Sequence, residues 1–123
     1  MGYNSFVESK SLVLATSYLN QVIEVYIDRQ LGSVHPKWKF KYPVNYGYIK
    51  DVFAPDGEEL DAYVLKVDKP LEKFTGRVVA IIHRINNDDD KLIVIPDGQS
   101  IADNEIEKLT EFQEKWFKHE IVR

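Results

Sequence analysis

Hydrophobic and polar residues alternate in the first half of the chain as a half-buried β-strand requires. Over residues 22–28, the apolar side chains Ile23, Val25 and Ile27 alternate with more polar neighbours. Successive side chains of a strand point to opposite faces, so this pattern predicts a strand with one buried face. The glycine-containing segment 31–33 then predicts a turn.

The next segment, HPKWKFKYP, alternates aromatic with basic side chains. The aromatic residues are Trp38, Phe40 and Tyr42, and the basic ones are Lys37, Lys39 and Lys41. One interpretation is an edge strand with aromatic residues in the core and lysines in water. The other is a platform on which the bases of a single-stranded nucleic acid stack. The formal net charge of -4 favours the edge strand, because surfaces that bind nucleic acid are usually basic.

The remainder of the chain predicts four more strands and one helix. The strands include residues 46–49, 60–67, 78–85 and 91–95, and Gly76 lies in a predicted connector. The connections between the later strands are too short for crossover helices, so we expect a mainly antiparallel sheet that closes into a small barrel. Residues 100–118 predict a helix with Ser100 as N-cap and an apolar stripe that packs on the barrel.

Composition indicates one globular domain. The chain has 123 residues, of which 44% are hydrophobic, and this is enough to bury a core. It contains no cysteine, which excludes disulfides and thiol catalysis. No apolar run reaches the ~20 residues of a membrane span, so we expect a cytoplasmic protein without a membrane partner. Residues 1–20 form an N-terminal arm of no predicted role, and a homo-oligomer remains open.

Two acidic segments carry the candidate chemistry. The first combines the Pro55-Asp56-Gly57 turn with Glu58, Glu59 and Asp61, and the second is Asp88-Asp89-Asp90. Two carboxylates about 4 Å apart repel by roughly 1 kcal/mol in water and roughly 4 kcal/mol at a protein surface. Such clusters therefore raise their pKa values, spread apart or bind a cation. Oxygen ligands of this kind favour Mg²⁺ or Mn²⁺, whereas the alternative interpretation is a pair of solvated loops.

Several cations and hydroxyl groups are available for an anionic substrate. Arg29, Arg84 and Lys91 are the candidate cations, and Tyr46 or Tyr48 can donate to a phosphate oxygen. Arg84 and Lys91 can instead pair with the second acidic segment on the surface, which stabilises little. Among the histidines, His35 is predicted in a loop, His83 in the core with a hydrogen-bond partner, and His119 at the end of the helix dipole.

Three segments, YPVNYGYI, DGEELDAYVL and DDKLIVIP, resemble the soluble family of inorganic pyrophosphatases. That family carries a Tyr-Pro-x-Asn-Tyr-Gly-Tyr strand, a DGDPxD turn and an acidic loop that ends in D-x-K. The resemblance covers residues 42–65 and 78–96. It implies a small OB-like barrel with a flanking helix, and Mg²⁺-dependent hydrolysis of inorganic diphosphate to two phosphates.

The resemblance also implies roles for individual residues. Asp56, Asp61 and Asp89 match metal ligands, Glu58 matches the carboxylate that binds metal and acts as general base, and Asp88 can replace a ligand of the shorter acidic loop. Tyr46 and Lys91 match groups that contact phosphate, and Lys118 stands in for a Tyr-Lys pair of the last helix.

Other family positions differ in this sequence. Glu58 stands where the family has Asp, Glu59 replaces its Pro, and Val34 occupies the position of its phosphate-binding Arg. The cationic pocket is therefore rebuilt or lost, with Arg29, His35 and Arg84 as candidates for rebuilding it. Two alternatives stay open: hydrolysis of another phosphate ester or a nucleotide, and a non-catalytic barrel that binds a partner.

Overall fold

Six strands and two helices form the described part of the chain, residues 9–123 of a computed structural model. In chain order they are α1 (Lys10–Thr16), β1 (Val22–Arg29), β2 (Asn45–Phe53), β3 (Glu59–Val64), β4 (Lys73–Arg84), β5 (Lys91–Ile95), α2 (Asp103–Glu114) and β6 (His119–Val122). None of these helices is long and apolar enough to cross a membrane.

Strands β1 to β5 close into a barrel. Their order is β1-β2-β3-β5-β4, and pairing of β1 with β4 completes the ring, while β6 pairs with the far end of β4. The predicted small barrel with a C-terminal helix is therefore confirmed, and its sheet is mainly antiparallel as expected. The exception is β3 with β5, which run parallel because β5 returns along β4 and inserts between β4 and β3.

The two faces of the sheet bury two separate hydrophobic clusters. Leu60, Ala62 and Val64 of β3 belong to the cluster inside the barrel, which draws residues from all five barrel strands. Tyr63 and Leu65 belong to the outer cluster, which α2 covers. The alternation predicted for β3 is thus present, and Asp61 shares the outer face of the strand with Tyr63.

The aromatic and basic segment does not form the predicted edge strand. One isolated bridge joins Val34 to Lys41, and the backbone N–H of His35 donates to the Phe40 carbonyl at 2.8 Å. The His35 Nδ1 accepts from the N–H groups of Lys37 and Trp38 at 3.1 and 3.0 Å. The edge-strand prediction was wrong because backbone groups of this segment form hydrogen bonds with His35 inside the same loop and not with a neighbouring strand.

The C-terminal helix is shorter than predicted. It begins after Ala102, without a side-chain cap, rather than at Ser100. Residues 119–122, which follow the helix, form β6 and pair with β4. The predicted connector residue Gly76 lies inside β4, where a Cβ atom would come 2.5 Å from the Ile95 carbonyl oxygen. Glycine therefore permits the close approach of β4 to its neighbour.

The N-terminal arm holds the second acidic segment in place. Ser9 caps α1, and Ala15 of α1 is buried in the barrel cluster. The Asp88 Oδ1 accepts hydrogen bonds from the Ser9 hydroxyl at 2.8 Å and from the Ser11 N–H at 3.0 Å. Residues 1–8 of the predicted arm lie outside the described residues.

Candidate active site

The two predicted acidic segments meet at Lys91. Its Nζ donates to Asp61 Oδ2 at 2.7 Å and to Asp89 Oδ1 at 2.8 Å. The parallel pairing of β3 with β5 brings this about, since Ala62 is opposite Leu92 and the residues before them therefore lie side by side. The Lys91 side chain is only 3% exposed, so its charge is separated from water and compensated by the two carboxylates.

Tyr46 joins the same cluster from β2. Its hydroxyl donates to Asp61 Oδ2 at 2.8 Å. Burial, together with the Asp61 charge, raises the pKa of Tyr46 well above its usual range, so the phenol keeps its proton at neutral pH. The next residue is Gly47, where a Cβ atom would collide with the backbone carbonyl of Tyr26 on β1. Arg29 pairs in register with Tyr46 and carries a cation to this end of β1.

A second network adjoins the first and centres on Arg84. Its guanidinium donates to Glu114 from Nε at 2.9 Å and from Nη2 at 2.8 Å, and to Asp89 from Nη1 at 3.1 Å. The Tyr63 hydroxyl donates to Glu114 at 2.6 Å. The alternative interpretation, that Arg84 pairs with the second acidic segment, is correct for Asp89, but the pair is not on the surface, because Arg84 is buried and Glu114 of α2 supplies a second, buried carboxylate.

Asp89 connects the two networks because one of its oxygens accepts from Lys91 and the other from Arg84. Three carboxylates, those of Asp61, Asp89 and Glu114, thus face two cations. Counted with all groups ionised, the joined network carries one negative charge in excess. Additional positive charge is accordingly favoured here, and an anionic ligand alone is not.

The other predicted metal ligands are placed differently. Asp56 Oδ1 accepts from the backbone N–H of Glu58 at 2.9 Å, and both side chains are exposed at the β2–β3 turn. Asp88 is engaged by α1. Within residues 9–123, no group of three or more acidic or histidine side chains is arranged to hold a metal. Carboxylate oxygens are the ligands that a hard divalent cation prefers. In this structure the ammonium group of Lys91 balances the negative charges of Asp61 and Asp89.

The hydrogen bonds described for Lys118, His83 and His119 lie outside the two networks. Lys118 is exposed, and its backbone carbonyl accepts from the Ile85 N–H at 2.9 Å. His83 is hydrogen-bonded to Asp90 at 3.0 Å, as expected of a partnered histidine. The interpretation of His119 as a helix-dipole partner was wrong, because the residue lies on β6 and contacts Glu107 at 2.7 Å.

Sequence reasoning missed two acidic residues beside the site. Glu114 had a detectable signal, because it continues the buried spacing of Ile106 and Thr110 along one face of α2. Asp28 lies at an irregularity in the β1–β2 register. Although Asp28 is accessible to water, its pKa is raised, first by partial desolvation and next by the Asp61 charge. No local sequence pattern would have indicated that Asp28 lies near Asp61.

An open cleft of about 680 Å³ lies beside the two networks. Tyr46, Arg84 and Lys91 form one part of its lining. The rest consists mainly of aromatic side chains from the 35–40 loop and from the end of α2 with the residues that follow it. The cleft therefore joins a polar floor to an apolar wall.

Comparison with known proteins identifies similar sequences and folds. The family profile described as inorganic pyrophosphatase matches residues 21–121. The inorganic pyrophosphatase of Helicobacter pylori is similar in structure with a TM-score of 0.63 and 18% identity, over 83% of this chain and 84% of that one.

Two further solved structures show the same likeness. For the enzyme of Ehrlichia chaffeensis the TM-score is 0.64 at 19% identity, over 83% of this chain and 85% of that one. For that of Thermus thermophilus it is 0.57 at 20% identity, over 83% and 80%. At these identities the structures show a shared fold. No curated protein sequence matches the chain.

Proposed function

The chain belongs to the inorganic pyrophosphatase family, and from that premise we propose that it hydrolyses inorganic diphosphate to two phosphates with the help of a divalent cation, Mg²⁺ by default. The observation that carries the proposal is the convergence of Asp61 and Asp89, from two separate segments, on one buried ammonium group. Burial of an ammonium group and two carboxylates costs desolvation free energy. Clusters of ionisable groups of this kind are concentrated at functional sites of proteins.

The charge balance of the site supports a metal ion. Three carboxylates already outnumber the two cations, so a diphosphate anion entering alone would meet net repulsion. Asp56, Glu58, Asp61 and Asp89 are the residues that would hold Mg²⁺, with Asp88 as a further donor once released from α1. When bound, such an ion neutralises substrate charge and lowers the pKa of a water molecule.

The site's own cations have donors to spare for phosphate oxygens. An ammonium group has three N–H donors and a guanidinium has five. Lys91 uses two of its three on Asp61 and Asp89, and Arg84 uses three of its five on Glu114 and Asp89. Both residues line the cleft. The unused donors would stabilise the charge that develops on the departing phosphate.

Glu58 is the proposed general base. Its side chain is exposed at the turn and can accept a proton from an attacking water molecule. Tyr46 would position Asp61 through the hydrogen bond between them. Arg29 and Lys118 are proposed to bind outlying phosphate oxygens.

Phosphate release from diphosphate tests the proposal. The wild type should release phosphate with Mg²⁺ and not in EDTA, and Asp61→Asn should abolish the activity. Glu58→Gln should lower kcat by about 10²- to 10⁴-fold, the usual contribution of a general base. Asp97→Asn is the matched control, because Asp97 is an exposed aspartate paired with Arg77 elsewhere on the surface. Full activity in EDTA, or an active Asp61→Asn variant, would contradict the proposal.

A further inference from the structure

The cleft beside the candidate site has two chemically distinct parts. Its floor consists of Tyr46, Arg84 and Lys91, whose side chains are buried. Its wall is aromatic and includes Trp38, Phe40, Phe112, Trp116 and Phe117. A volume of about 680 Å³ lies within the usual range of pockets for organic ligands of drug size. Diphosphate has no apolar part that such a wall would contact.

Both tryptophans of the chain belong to this wall. Trp38 is 66% exposed and Trp116 is 72% exposed. Each carries a lysine ammonium over its ring, that of Lys37 at 4.7 Å and that of Lys115 at 5.1 Å. Large indole rings left in water beside cations are suited to stack on a flat, polar aromatic group that is joined to an anion.

The loop that carries Trp38 is held in shape before any ligand arrives. Two backbone N–H groups, including that of Trp38, donate to His35 Nδ1. The imidazole ring packs against Phe40 at a centroid distance of 5.0 Å. A loop fixed in this way loses little conformational entropy when a ring stacks on it.

We propose that the cleft binds a 5′-nucleotide, with its base on the aromatic wall and its phosphate at the floor formed by Tyr46, Arg84 and Lys91. The phosphate end rests on the proposed function, since it uses the same unused donors of Lys91 and Arg84. Lys115, which also lines the cleft, adds a cation on the side of the wall. A second copy of this chain is the competing occupant, because exposed tryptophans also serve protein interfaces.

A matched pair of ligands isolates the contribution of the base. AMP and ribose 5-phosphate carry the same phosphate and differ in the adenine, so both are titrated against the full chain by calorimetry in the presence of Mg²⁺, because an anion alone would meet the excess negative charge of the site. Stacking of one base predicts that AMP binds about 5- to 150-fold more tightly. AMP should also quench tryptophan fluorescence, which comes from the two tryptophans of the wall. Equal affinities for the two ligands would overturn the proposal.

Single-residue variants test whether the two tryptophans provide the extra affinity for AMP. Trp38→Ala and Trp116→Ala should each weaken AMP binding at least about fivefold and leave ribose 5-phosphate binding unchanged. Phe53→Ala is the control, because Phe53 is an exposed aromatic residue, 58% accessible, that does not line the cleft. AMP affinity that is the same in both tryptophan variants as in the wild type would contradict the site.

Sedimentation and phosphate release separate the remaining outcomes. A dimer that Trp116→Ala dissociates, combined with no AMP binding, would assign the wall to a second copy and overturn the nucleotide site. Mg²⁺-dependent release of phosphate from diphosphate without preference for AMP overturns the nucleotide site alone. Tryptophan-dependent preference for AMP without that release upholds the site and contradicts the proposed function.

Discussion

Asp89 links the two cations that line the floor of the cleft, Lys91 and Arg84. Its two oxygens are divided between Lys91 and Arg84, so neither cation is left with an uncompensated charge. Without Asp89, Lys91 would keep only Asp61 and Arg84 would keep only Glu114 as a carboxylate partner. The same arrangement keeps both cations in place for an anion.

Individual residues of the site were predictable where the signal was local. The acids of the Asp56 turn and the Asp89 segment, and the lysine that follows the latter, are adjacent in sequence, and crowding of like charges is visible there. The helical partner of Arg84 was not predictable, because Glu114 lies thirty residues away and meets it only after α2 packs. The role of His35 was missed for another reason, since sequence does not show which ring nitrogen accepts from the backbone.

His119 should make stability depend on pH. Burial alone lowers the pKa of this imidazole, but the hydrogen bonds to Glu107 at 2.7 Å and to the Phe117 carbonyl at 2.8 Å outweigh it, so the pKa is raised above 6.5. Stabilisation by a raised pKa is complete below the unfolded value and is lost as pH rises through the folded value. We expect His119→Gln to lower the free energy of unfolding by up to about 1 kcal/mol at pH 5.5 and by less at pH 9.

Urea denaturation of the wild type and of His119→Gln at the two pH values measures this difference. Glu107→Gln is the companion variant, because it removes the carboxylate and leaves the imidazole. It should reduce the same pH dependence. A difference between wild type and His119→Gln that is equal at pH 5.5 and pH 9 would show that the pair with Glu107 does not stabilise the protein.

At the scale of elements, α2 acts as the cover of the site. It buries Ile106 in the outer cluster and places Glu114 against Arg84. Loss of one partner from a buried ion pair usually costs about 3–5 kcal/mol, because the other charge stays buried. Glu114→Gln should therefore lower the free energy of unfolding by about that amount, as measured by urea denaturation.

Glu105→Gln provides the comparison on the same helix. Glu105 is exposed and reaches Lys66 only at 3.9 Å, so this change should alter stability by less than about 0.5 kcal/mol. If Glu114→Gln loses no more stability than Glu105→Gln, then Arg84 finds sufficient solvation without its helical partner, and α2 is not the cover described here.

Strands were more predictable than the segments that pack on them. Alternation indicated β1 and the outer face of β3, and the continuous apolar run over residues 78–85 indicated the C-terminal half of β4. Strand β6 was missed because the helical spacing continues into Trp116, while its pairing with the end of β4 is a contact between distant segments. Local periodicity does not contain that information.

At the scale of the whole molecule, one parallel pairing places the chemistry. Short connections favoured an antiparallel sheet, and the barrel closes mainly in that way. The insertion of β5 beside β3 is a property of the complete ring, and it is this insertion that sets Asp61 next to Lys91. Pattern analysis predicted a barrel but did not predict the strand order on which the site depends.

The melting temperature of the chain as a function of Mg²⁺ concentration tests the central claim most directly. An ion that binds only the folded protein stabilises it by RT ln(1 + [L]/Kd), about 2.7 kcal/mol at a hundredfold excess over Kd. We predict a melting temperature that rises with Mg²⁺ in the wild type and in Asp97→Asn, and a rise that is lost in Asp61→Asn. An identical rise in Asp61→Asn, or no rise in the wild type, would contradict the account.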